Sequence, residues 1–562
     1  MHAPVERVRA AYSRLREADR PEVWIHLRPE EDVVALAEQL EGRAGEDLPL
    51  AGTLVAVKDN IDVAGLPTTA GHPDFVYTPQ ESAPAVRRLV EAGALVLGKT
   101  NLDQFATGLV GTRSPYGQVR HAFRPERVSG GSSSGSAVAV ALGVADIALG
   151  TDTAGSGRVP AALHGIVGLK PTLGLVPTDG VVPAARPYDC VTVFAPDLAT
   201  GERAMAVMAG PEPGDPSSRE APSDLRLAPS VPAQVAVPGA DGLAPLSDSE
   251  RELFHRAVDN LARSGAIVTE VDIAPLLEAA RLLYDGALVA ERHAAVGAFL
   301  DKHRDAPGTD PTVAGIVLDA EGIPAAALAV DQARLAEYRV VAERLLHGCD
   351  ALLLPTTVGH PTRAEVDADP VVANSRLGTY TNFVNLLDMA AVAVPAGQAD
   401  GLEFGVSVVT RAFEDQVGLD LAAVLTGGEP GPGLLAPGVE LAVFGAHLRG
   451  QPLGHQLTGR GARFLRATET SADYRMVALP TTPPKPGLQR VTEDGRRLAC
   501  EVWRLSPAAL GSFLAELPAP MSLGAVTLAD GSTVVGFGCE ASAAEGAPDI
   551  TAHGGWVAYL GS

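Results

Sequence analysis

Aromatic residues and cysteines are scarce in this chain of 562 residues. Phe, Trp and Tyr make up 4% of the sequence, although hydrophobic residues as a whole make up 46%. Ala, Gly and Val must therefore fill the interior, which favours close packing of helices on a sheet. The cysteines are far apart and form no CxxC pair, so we expect neither a disulfide framework nor a zinc site. They are Cys190, Cys349, Cys500 and Cys539.

Positive charge is also in short supply. The chain has 44 Lys and Arg against 68 Asp and Glu, which gives a formal net charge of −24. Such a surface repels nucleic-acid phosphates and anionic lipids. No cluster of basic residues is interleaved with aromatic residues. We therefore expect no nucleic-acid partner and no membrane partner.

Long apolar segments are missing as well. The longest, residues 137–149, is interrupted by Asp146 and is shorter than the roughly 20 residues that span a bilayer. The first twenty residues are charged and lack the apolar stretch of a signal peptide. From these features we expect a cytoplasmic protein.

Two turns rich in glycine and serine dominate residues 129–170. The first, SGGSSSGS, is followed at once by an apolar Ala/Val-rich run, and the second, GTDTAGSG, covers residues 150–157. Gly and Ser let backbone N–H groups approach a ligand closely, so two such turns can surround one carbonyl group with hydroxyls and amide donors. A flexible linker, the alternative, does not alternate with segments typical of a core.

A lysine ends the apolar run 54–57. Burial at the end of a strand lowers the pKa of a lysine and makes a neutral amine available as a base. Taken alone, Lys58 could equally be a solvated surface group. The two Gly/Ser turns downstream favour the catalytic interpretation.

These three segments together resemble the amidase signature family, which uses a Lys–Ser–Ser triad. The resemblance continues through GKTNLDQFATG, GLKPTLGLVP and GLEFGVSVV, and covers about residues 25–430. It implies that Lys58 is the base, that Ser132 is the middle serine, held in the family by a cis peptide, and that Ser156 is the nucleophile.

The resemblance also implies a mechanism for amide hydrolysis. Ser156 attacks the carbonyl carbon, and Ser132 relays the proton between Ser156 and the neutral lysine. The backbone N–H groups of Thr153, Ala154 and Gly155 stabilise the oxyanion. This chemistry requires no metal and no cofactor, and we expect neither.

The pattern of elements predicts an α/β fold with two domains. Residues 1–430 form the amidase-signature domain, with a central mixed sheet flanked by helices; within it, residues 1–45 are predicted to be helical and residues 211–232 a surface loop. A Pro/Gly-rich linker follows at 431–438, and residues 439–562 form a smaller, mostly β domain. Predicted strands lie at 54–57, 94–97, 351–354 and 498–505, a helix at 85–92, and a hairpin with an Asp-Gly turn at 526–537.

The C-terminal region resembles the C-terminal domain of allophanate hydrolases. The resemblance rests on VFGAHLRGQPLGHQLTGRGARF, YRMVALPTTPPKPGLQRV, GCEASA and DITAHGGWVAYL. It implies a fold likened to gamma-glutamyl cyclotransferase, and conversion of allophanate (urea-1-carboxylate) to ammonia and carbon dioxide in urea degradation. We also expect a homodimer and, because the sequence contains no biotin-carboxylase segment, a separate urea carboxylase that supplies allophanate. The family domain is linked to decarboxylation of the product N-carboxycarbamate, for which His447 is the candidate residue here; His455 is a weaker candidate, and His553 is expected to be structural.

A substrate carboxylate in a buried pocket needs a cation, preferably a planar one. Tyr284 and Arg292 are eight residues apart, about two turns of one predicted helix, and allophanate hydrolases hold substrate with a Tyr and an Arg at this spacing. The alternative is a core Tyr and a surface Arg. Tyr380 is a further candidate for the pocket and Arg376 a weaker one, whereas Arg158 is expected to stabilise the nucleophile loop by hydrogen bonds.

Three other functions stay open on the sequence. A broader amidase of small or aryl amides would not require a substrate carboxylate or Arg292. A component of a transfer-RNA amidotransferase is disfavoured by the negative charge and by the C-terminal segments. An inactive binding scaffold is disfavoured because all three triad positions are filled.

Overall fold

The computed structural model describes residues 3–43, 45–431, 433–434 and 438–562. The chain divides into two compact units. The first comprises Met1–Glu220 and Gln234–Leu434, and the second comprises Ala221–Ala233 and Leu435–Ser562. The sequence predicts that residues 211–232 form a surface loop of the first domain, but residues 221–233 group with the second unit.

The first unit is built around a mixed sheet. In the part of the chain that the structure describes, its eleven strands follow the order β1-β3-β2-β4-β6-β5-β10-β11-β9-β7-β8. The strands are β1 Trp24–Leu27, β2 Leu54–Lys58, β3 Leu95–Thr100, β4 Ile147–Asp152, β5 Val167–Lys170, β6 Cys190–Ala195, β7 Gln234–Pro238, β8 Ile267–Val271, β9 Ala351–Pro355, β10 Ala390–Ala399 and β11 Leu402–Thr410. The mixed sheet with flanking helices confirms the predicted fold class.

Helices cover this sheet, and several begin at residues suited to capping. Ser247 and Glu250, for example, form a reciprocal capping box at the start of α7. The helices are α1 Pro4–Ala18, α2 Glu30–Glu41, α3 Pro84–Glu91, α4 Ser134–Ala141, α5 Val159–His164, α6 Leu198–Met208, α7 Asp248–Arg263, α8 Ala274–Arg281, α9 Ala290–His303, α10 Pro311–Leu318, α11 Ala325–Leu345, α12 Arg363–Ala368, α13 Val372–Leu377, α14 Asn382–Leu386 and α15 Asp415–Thr426.

Three neighbouring parallel strands bring the predicted catalytic segments together. β2 pairs in parallel with β3 on one side and with β4 on the other, and every residue of the three strands is buried. The carboxyl ends of parallel strands meet at one edge of a sheet. Lys58 ends β2, and Asp152 ends β4 four residues before Ser156, so the base and the nucleophile loop emerge at the same edge.

The second unit is a smaller, mostly β domain with its own hydrophobic core. Its larger sheet has the order β13-β16-β12-β18-β17, and β14 pairs with β15 in a separate two-stranded sheet. The strands are β12 Val439–Val443, β13 Arg463–Glu469, β14 Tyr474–Leu479, β15 Lys485–Arg490, β16 Ala499–Leu505, β17 Met521–Thr527 and β18 Thr533–Cys539. The helices are α16 His455–Thr458, α17 Pro507–Ala515, α18 Ala541–Ala544 and α19 Trp556–Leu560.

Most elements predicted from the pattern are confirmed. Strands β2, β9 and β16 and helix α3 lie within one residue of their predicted bounds, and β3 extends three residues beyond its predicted end. The predicted hairpin is β17–β18, in which Thr527 pairs with Thr533. The prediction of helix over residues 1–45 is wrong in the middle. There β1 pairs antiparallel with β3, because Pro21 and Pro29 restrict the chain on either side of it. Among the described residues, no helix is both long enough and apolar enough to cross a membrane.

Candidate active site

A buried lysine lies between two hydroxyl groups at the end of β2. Lys58 Nζ is 2.8 Å from Ser132 Oγ and 2.7 Å from Thr151 Oγ1, and Lys58 is fully buried. Within the described residues, no carboxylate forms an ion pair with this amine, whereas Lys99 on β3 pairs with Asp59 at 3.3 Å. The surroundings of Lys58 therefore suit a neutral amine that can accept a proton.

The two serines continue this chain of hydrogen bonds. Ser132 Oγ is 3.0 Å from Ser156 Oγ, and both side chains are buried. The Gly131–Ser132 peptide bond is cis, as the family resemblance implies. The structure thus brings Lys58, Ser132 and Ser156 into a single row along which a proton can move between the first and the last.

Burial shifts the titration of the lysine into the working range of a base. It is the main reason that the pKa of Lys58 falls from 10.5 to about 7; the nearby Arg292 cation acts in the same direction, and the carboxylates of Asp103, Asp152 and Asp189 act in the opposite direction. A large fraction of the amine is consequently neutral near pH 7, as a general base requires.

The loop that carries Ser156 is organised by one carboxylate. Asp152 Oδ1 accepts from Gly155 N at 2.8 Å and Oδ2 accepts from Gly157 N at 2.9 Å. Arg158 donates to both oxygens of Asp152 and also to Asn385 Oδ1. This guanidinium holds the pKa of Asp152 below its usual value despite burial. The predicted role of Arg158 in stabilising the loop is confirmed.

Two of the three predicted oxyanion donors have free backbone N–H groups. Those of Thr153 and Ala154 have no hydrogen-bond acceptor among the described residues. The third, Gly155 N–H, already donates to Asp152 Oδ1 at 2.8 Å. In this arrangement Thr153 and Ala154 are available for an oxyanion, and Gly155 shapes the loop instead.

The loop that carries Ser132 depends on a second buried carboxylate. Asp103 N donates to Ser132 O at 3.1 Å. The carboxylate of Asp103 in turn accepts from the backbone N–H groups of Val110, Gly111 and Arg113 at 3.0–3.2 Å. Asp103 thereby joins the segment after β3 to the Ser132 turn.

Arg292 and Tyr284 are in contact, but not along one helix as predicted. Arg292 Nη2 donates to Tyr284 Oη at 2.9 Å, and Nη1 donates to Thr107 Oγ1 at 2.9 Å. Arg292 lies in α9, whereas Tyr284 lies in the turn after α8. The prediction of a single helix face is wrong because Gly286 is extended and separates the two helices.

The Arg292 side chain is buried and incompletely bonded. It is 1% exposed, and its Nε has no hydrogen-bond partner among the described residues. Within the same part of the chain, no carboxylate pairs with it. A planar cation with a free donor is suited to binding a substrate carboxylate.

The other residues predicted to bind substrate do not present a free, buried polar group as Arg292 does. The buried Tyr380 hydroxyl donates to Gly242 O at 2.7 Å, and burial raises the pKa of this phenol. Thr381, the next residue, donates to Ala154 O at 2.6 Å, so this segment supports the nucleophile loop. Arg376 is exposed at the surface.

In the second unit, His447 is the buried histidine of the three that the sequence singles out. Its Nε2 donates to Gln456 Oε1 at 2.9 Å, and its ring packs against Phe513 and Phe537. Burial lowers the pKa of His447. His455 and His553 are exposed.

The sequence analysis did not single out several residues that hold the site together. Thr151 and Asp152 lie inside the quoted GTDTAGS motif, and Asp103 and Thr107 lie inside GKTNLDQFATG, so the motifs themselves were the available signal. Asn385, by contrast, has no local signature. Among the described residues, no group of three or more His, Cys, Asp or Glu side chains could hold a metal ion.

Comparisons with known proteins agree with both resemblances. Residues 6–419 match the family described as Amidase, and residues 439–561 match that described as Allophanate hydrolase C-terminal domain. A crystal structure of Kluyveromyces lactis allophanate hydrolase superposes with a TM-score of 0.89 at 40% identity, covering 100% of this chain and 97% of that one.

Two curated relatives differ in how much of each protein is shared. Urea amidolyase of Saccharomyces cerevisiae is 43% identical over 570 residues, which cover 96% of this chain and 31% of that protein. The chain thus spans about a third of the length of the urea amidolyases that it matches. One component of the glutamyl-tRNA(Gln) amidotransferase of Halobacterium salinarum is 34% identical over 413 residues, covering 67% of this chain and 96% of that protein.

The pKa of Lys58 leads to a prediction for the pH dependence of amide hydrolysis. We expect kcat/KM to rise about tenfold per pH unit below the pKa of about 7 and to level off above it, because only the neutral amine accepts the proton. The profile is measured as ammonia release between pH 5 and 9. Lys58→Arg, which stays cationic throughout, should be inactive at every pH; a flat wild-type profile would contradict the assignment.

Proposed function

This chain belongs to the amidase family, and from that premise we propose that it hydrolyses allophanate to ammonia and N-carboxycarbamate, which is then converted to carbamate and carbon dioxide. The observation that carries the proposal is the buried row Lys58–Ser132–Ser156, with Arg292 close enough to affect the pKa of Lys58. The match of residues 439–561 to the allophanate hydrolase C-terminal domain supports this choice of substrate among amides.

The geometry supports a two-stage acyl transfer. Ser156 Oγ attacks the carboxamide carbon while its proton passes to Ser132, and the Ser132 proton passes to Lys58 Nζ. The free N–H groups of Thr153 and Ala154 stabilise the oxyanion. The proton then returns along the same row to the departing nitrogen, which leaves as ammonia. A water molecule releases the acyl group by the same relay in reverse.

Arg292 provides the selectivity for a carboxylate in this proposal. Its cation is buried without an acidic partner among the described residues, so an anionic substrate supplies the missing charge. Thr107 and Tyr284 fix the guanidinium from two sides. Tyr380 contributes to the wall of the pocket rather than to charge recognition.

We assign the two chemical steps to the two predicted domains. Residues 1–430 contain the whole triad and Arg292, so amide hydrolysis belongs there. Residues 439–562 would decarboxylate N-carboxycarbamate at His447, and residues 431–438 would link the two. The C–N bond to the departing carboxylate breaks, its electron pair stays on nitrogen, and the nitrogen takes up one proton.

The reaction implies a supplier of allophanate. The urea amidolyases are matched over only about a third of their length, and we propose that a separate urea carboxylase serves this chain. The reaction would take place in the cytoplasm as part of urea degradation, with the protein acting as a homodimer.

Replacing Arg292 by lysine tests the carboxylate recognition. We expect KM for allophanate to rise about 10- to 100-fold, since an ammonium cannot reproduce the two-donor contact of a guanidinium. KM for the neutral analogue malonamide should rise much less. Steady-state ammonia release from both substrates gives the comparison.

The control is Arg376→Lys, which changes an exposed arginine and should leave both KM values unchanged. If KM rises equally for both substrates in Arg292→Lys, the result would favour the broader amidase over an allophanate hydrolase.

Replacing His447 by glutamine tests the second step. The first ammonia should be released from an allophanate pulse at the wild-type rate, whereas carbon dioxide and the second ammonia should lag at the rate of spontaneous decay. The exposed His553→Gln serves as the matched variant and should show no lag. Superimposable time courses for all three proteins would remove decarboxylation from the proposal.

A further inference from the structure

A pocket in the second unit contains a lysine that no described residue neutralises. The pocket opens to solvent and its cavity measures about 20 Å³; its lining includes Phe444, His447, Lys485, Met521 and Phe537. It lies entirely within this unit. The lining is apolar apart from the histidine and the lysine.

Lys485 is unusual in this chain. The sequence has five lysines, and Lys485 is the only one in the second unit. It is 8% exposed. Its side chain forms neither a hydrogen bond nor an ion pair with any residue that the structure describes. The stem of this lysine is thus largely buried while its ammonium has no counterion among the described residues, and an anionic ligand would supply one.

The backbone fixes this lysine beside the histidine. Lys485 begins β15 and pairs with Leu479 of β14. Pro486 packs so closely on Gly445 that a Cβ on this glycine would lie 2.2 Å from the proline Cδ. Only one residue separates Gly445 from His447, so the loop 444–447 and the start of β15 form adjoining walls of the pocket.

The lining described for the pocket has one charged side chain, the cation Lys485, and no acidic residue. This is notable in a protein whose formal net charge is −24. Burial is the largest cause that lowers the pKa of His447, and Lys485, His455 and Arg460 act in the same direction; Arg460 is itself paired with Glu516. The His447 tautomer is also fixed: Nε2–H donates to Gln456 Oε1, which leaves Nδ1 as the free ring nitrogen.

We propose that Lys485 binds a carboxylate group of a small dicarboxylate in this pocket and holds that ligand against His447. The inference rests on the proposed function, because N-carboxycarbamate is such a dianion. Lys485 holds the carboxylate that is retained, and the departing carboxylate faces the apolar wall, where loss of its charge as carbon dioxide is favoured. His447 takes up a proton from solvent once the dianion is bound and gives it from Nδ1 to the nitrogen as the C–N bond breaks; carbon dioxide and carbamate then leave.

Malonate, which has CH₂ in place of NH, serves as a stable probe of binding. The ring signals of the 13 histidines are recorded by NMR on the full-length protein, and His447 is assigned by comparison with His447→Gln. Malonate should shift the His447 signal in the wild type and in Lys302→Met, which changes an exposed lysine of α9. Lys485→Met should require at least tenfold more malonate, and Lys485→Arg should keep most of the affinity.

Two results would overturn the proposal: no His447 shift in the wild type at saturating malonate, or the same titration curve for Lys485→Met as for the wild type. The remaining histidine signals report whether the variant is folded, and Lys485→Gln replaces it if it is not. Malonate bound near Arg292 does not affect the titration curve, because only the His447 ring signal is followed.

Turnover separates this inference from the proposed function. Lys485→Met should release the first ammonia from allophanate normally and should delay carbon dioxide, as His447→Gln does. Failure of the wild type to hydrolyse allophanate would refute the proposed function but leave the malonate titration interpretable. Loss of malonate binding in Lys485→Met without any delay in carbon dioxide would overturn the assignment of Lys485 to the decarboxylation step.

Discussion

A buried amine to which the described residues offer no carboxylate partner is the constraint on which the active site depends. Lys58 is surrounded by the hydroxyls of Ser132 and Thr151, whereas Lys99, on the adjacent strand, is paired with Asp59. Lowering the pKa of Lys58 from 10.5 to about 7 corresponds to about 5 kcal/mol in favour of the neutral form. Burying this amine is unfavourable for folding, and it provides the active site with a neutral base.

The surrounding loops keep this amine and the two serines in line. Asp152 and Asp103 each accept hydrogen bonds from several backbone N–H groups. These two carboxylates stabilise the loops of Ser156 and Ser132. Glycine is required where these loops touch other elements. A Cβ on Gly155, whose φ is +131°, would lie 2.3 Å from Thr381 Oγ1. The Gly/Ser-rich composition of residues 129–170 is therefore a packing requirement of the site.

The sequence predicts the catalytic residues better than it predicts the residues that support them. Lys58, Ser132 and Ser156 lie in short motifs whose residue types are needed locally. Asn385 and Thr381 are more than 200 residues away in sequence from the loop they support, and only the fold of the sheet brings them there. At Tyr284 the spacing alone predicts wrongly, because two residues in contact across a turn can have the same sequence separation as two turns of a helix.

The composition of the sequence also predicts the boundary between the two units only in part. The first unit runs to Leu434, and the predicted linker 431–438 lies partly outside the described residues. Residues 221–233 nevertheless group with the second unit, and one long-range hydrogen bond within that unit is donated by Leu227 N to Gly461 O at 2.9 Å. A hydrogen bond between residues so far apart leaves no periodic trace in the sequence.

The central claim is that Ser156 becomes acylated by the substrate. Its most direct test is a single-turnover experiment in which enzyme in excess is mixed with allophanate, quenched, and digested for peptide mass spectrometry. The account predicts a transient adduct on the peptide that contains Ser156, with ammonia formed at the same rate, and neither adduct nor ammonia in Ser156→Ala. Ammonia release at the wild-type rate by Ser156→Ala, or an adduct on a different residue, would contradict it.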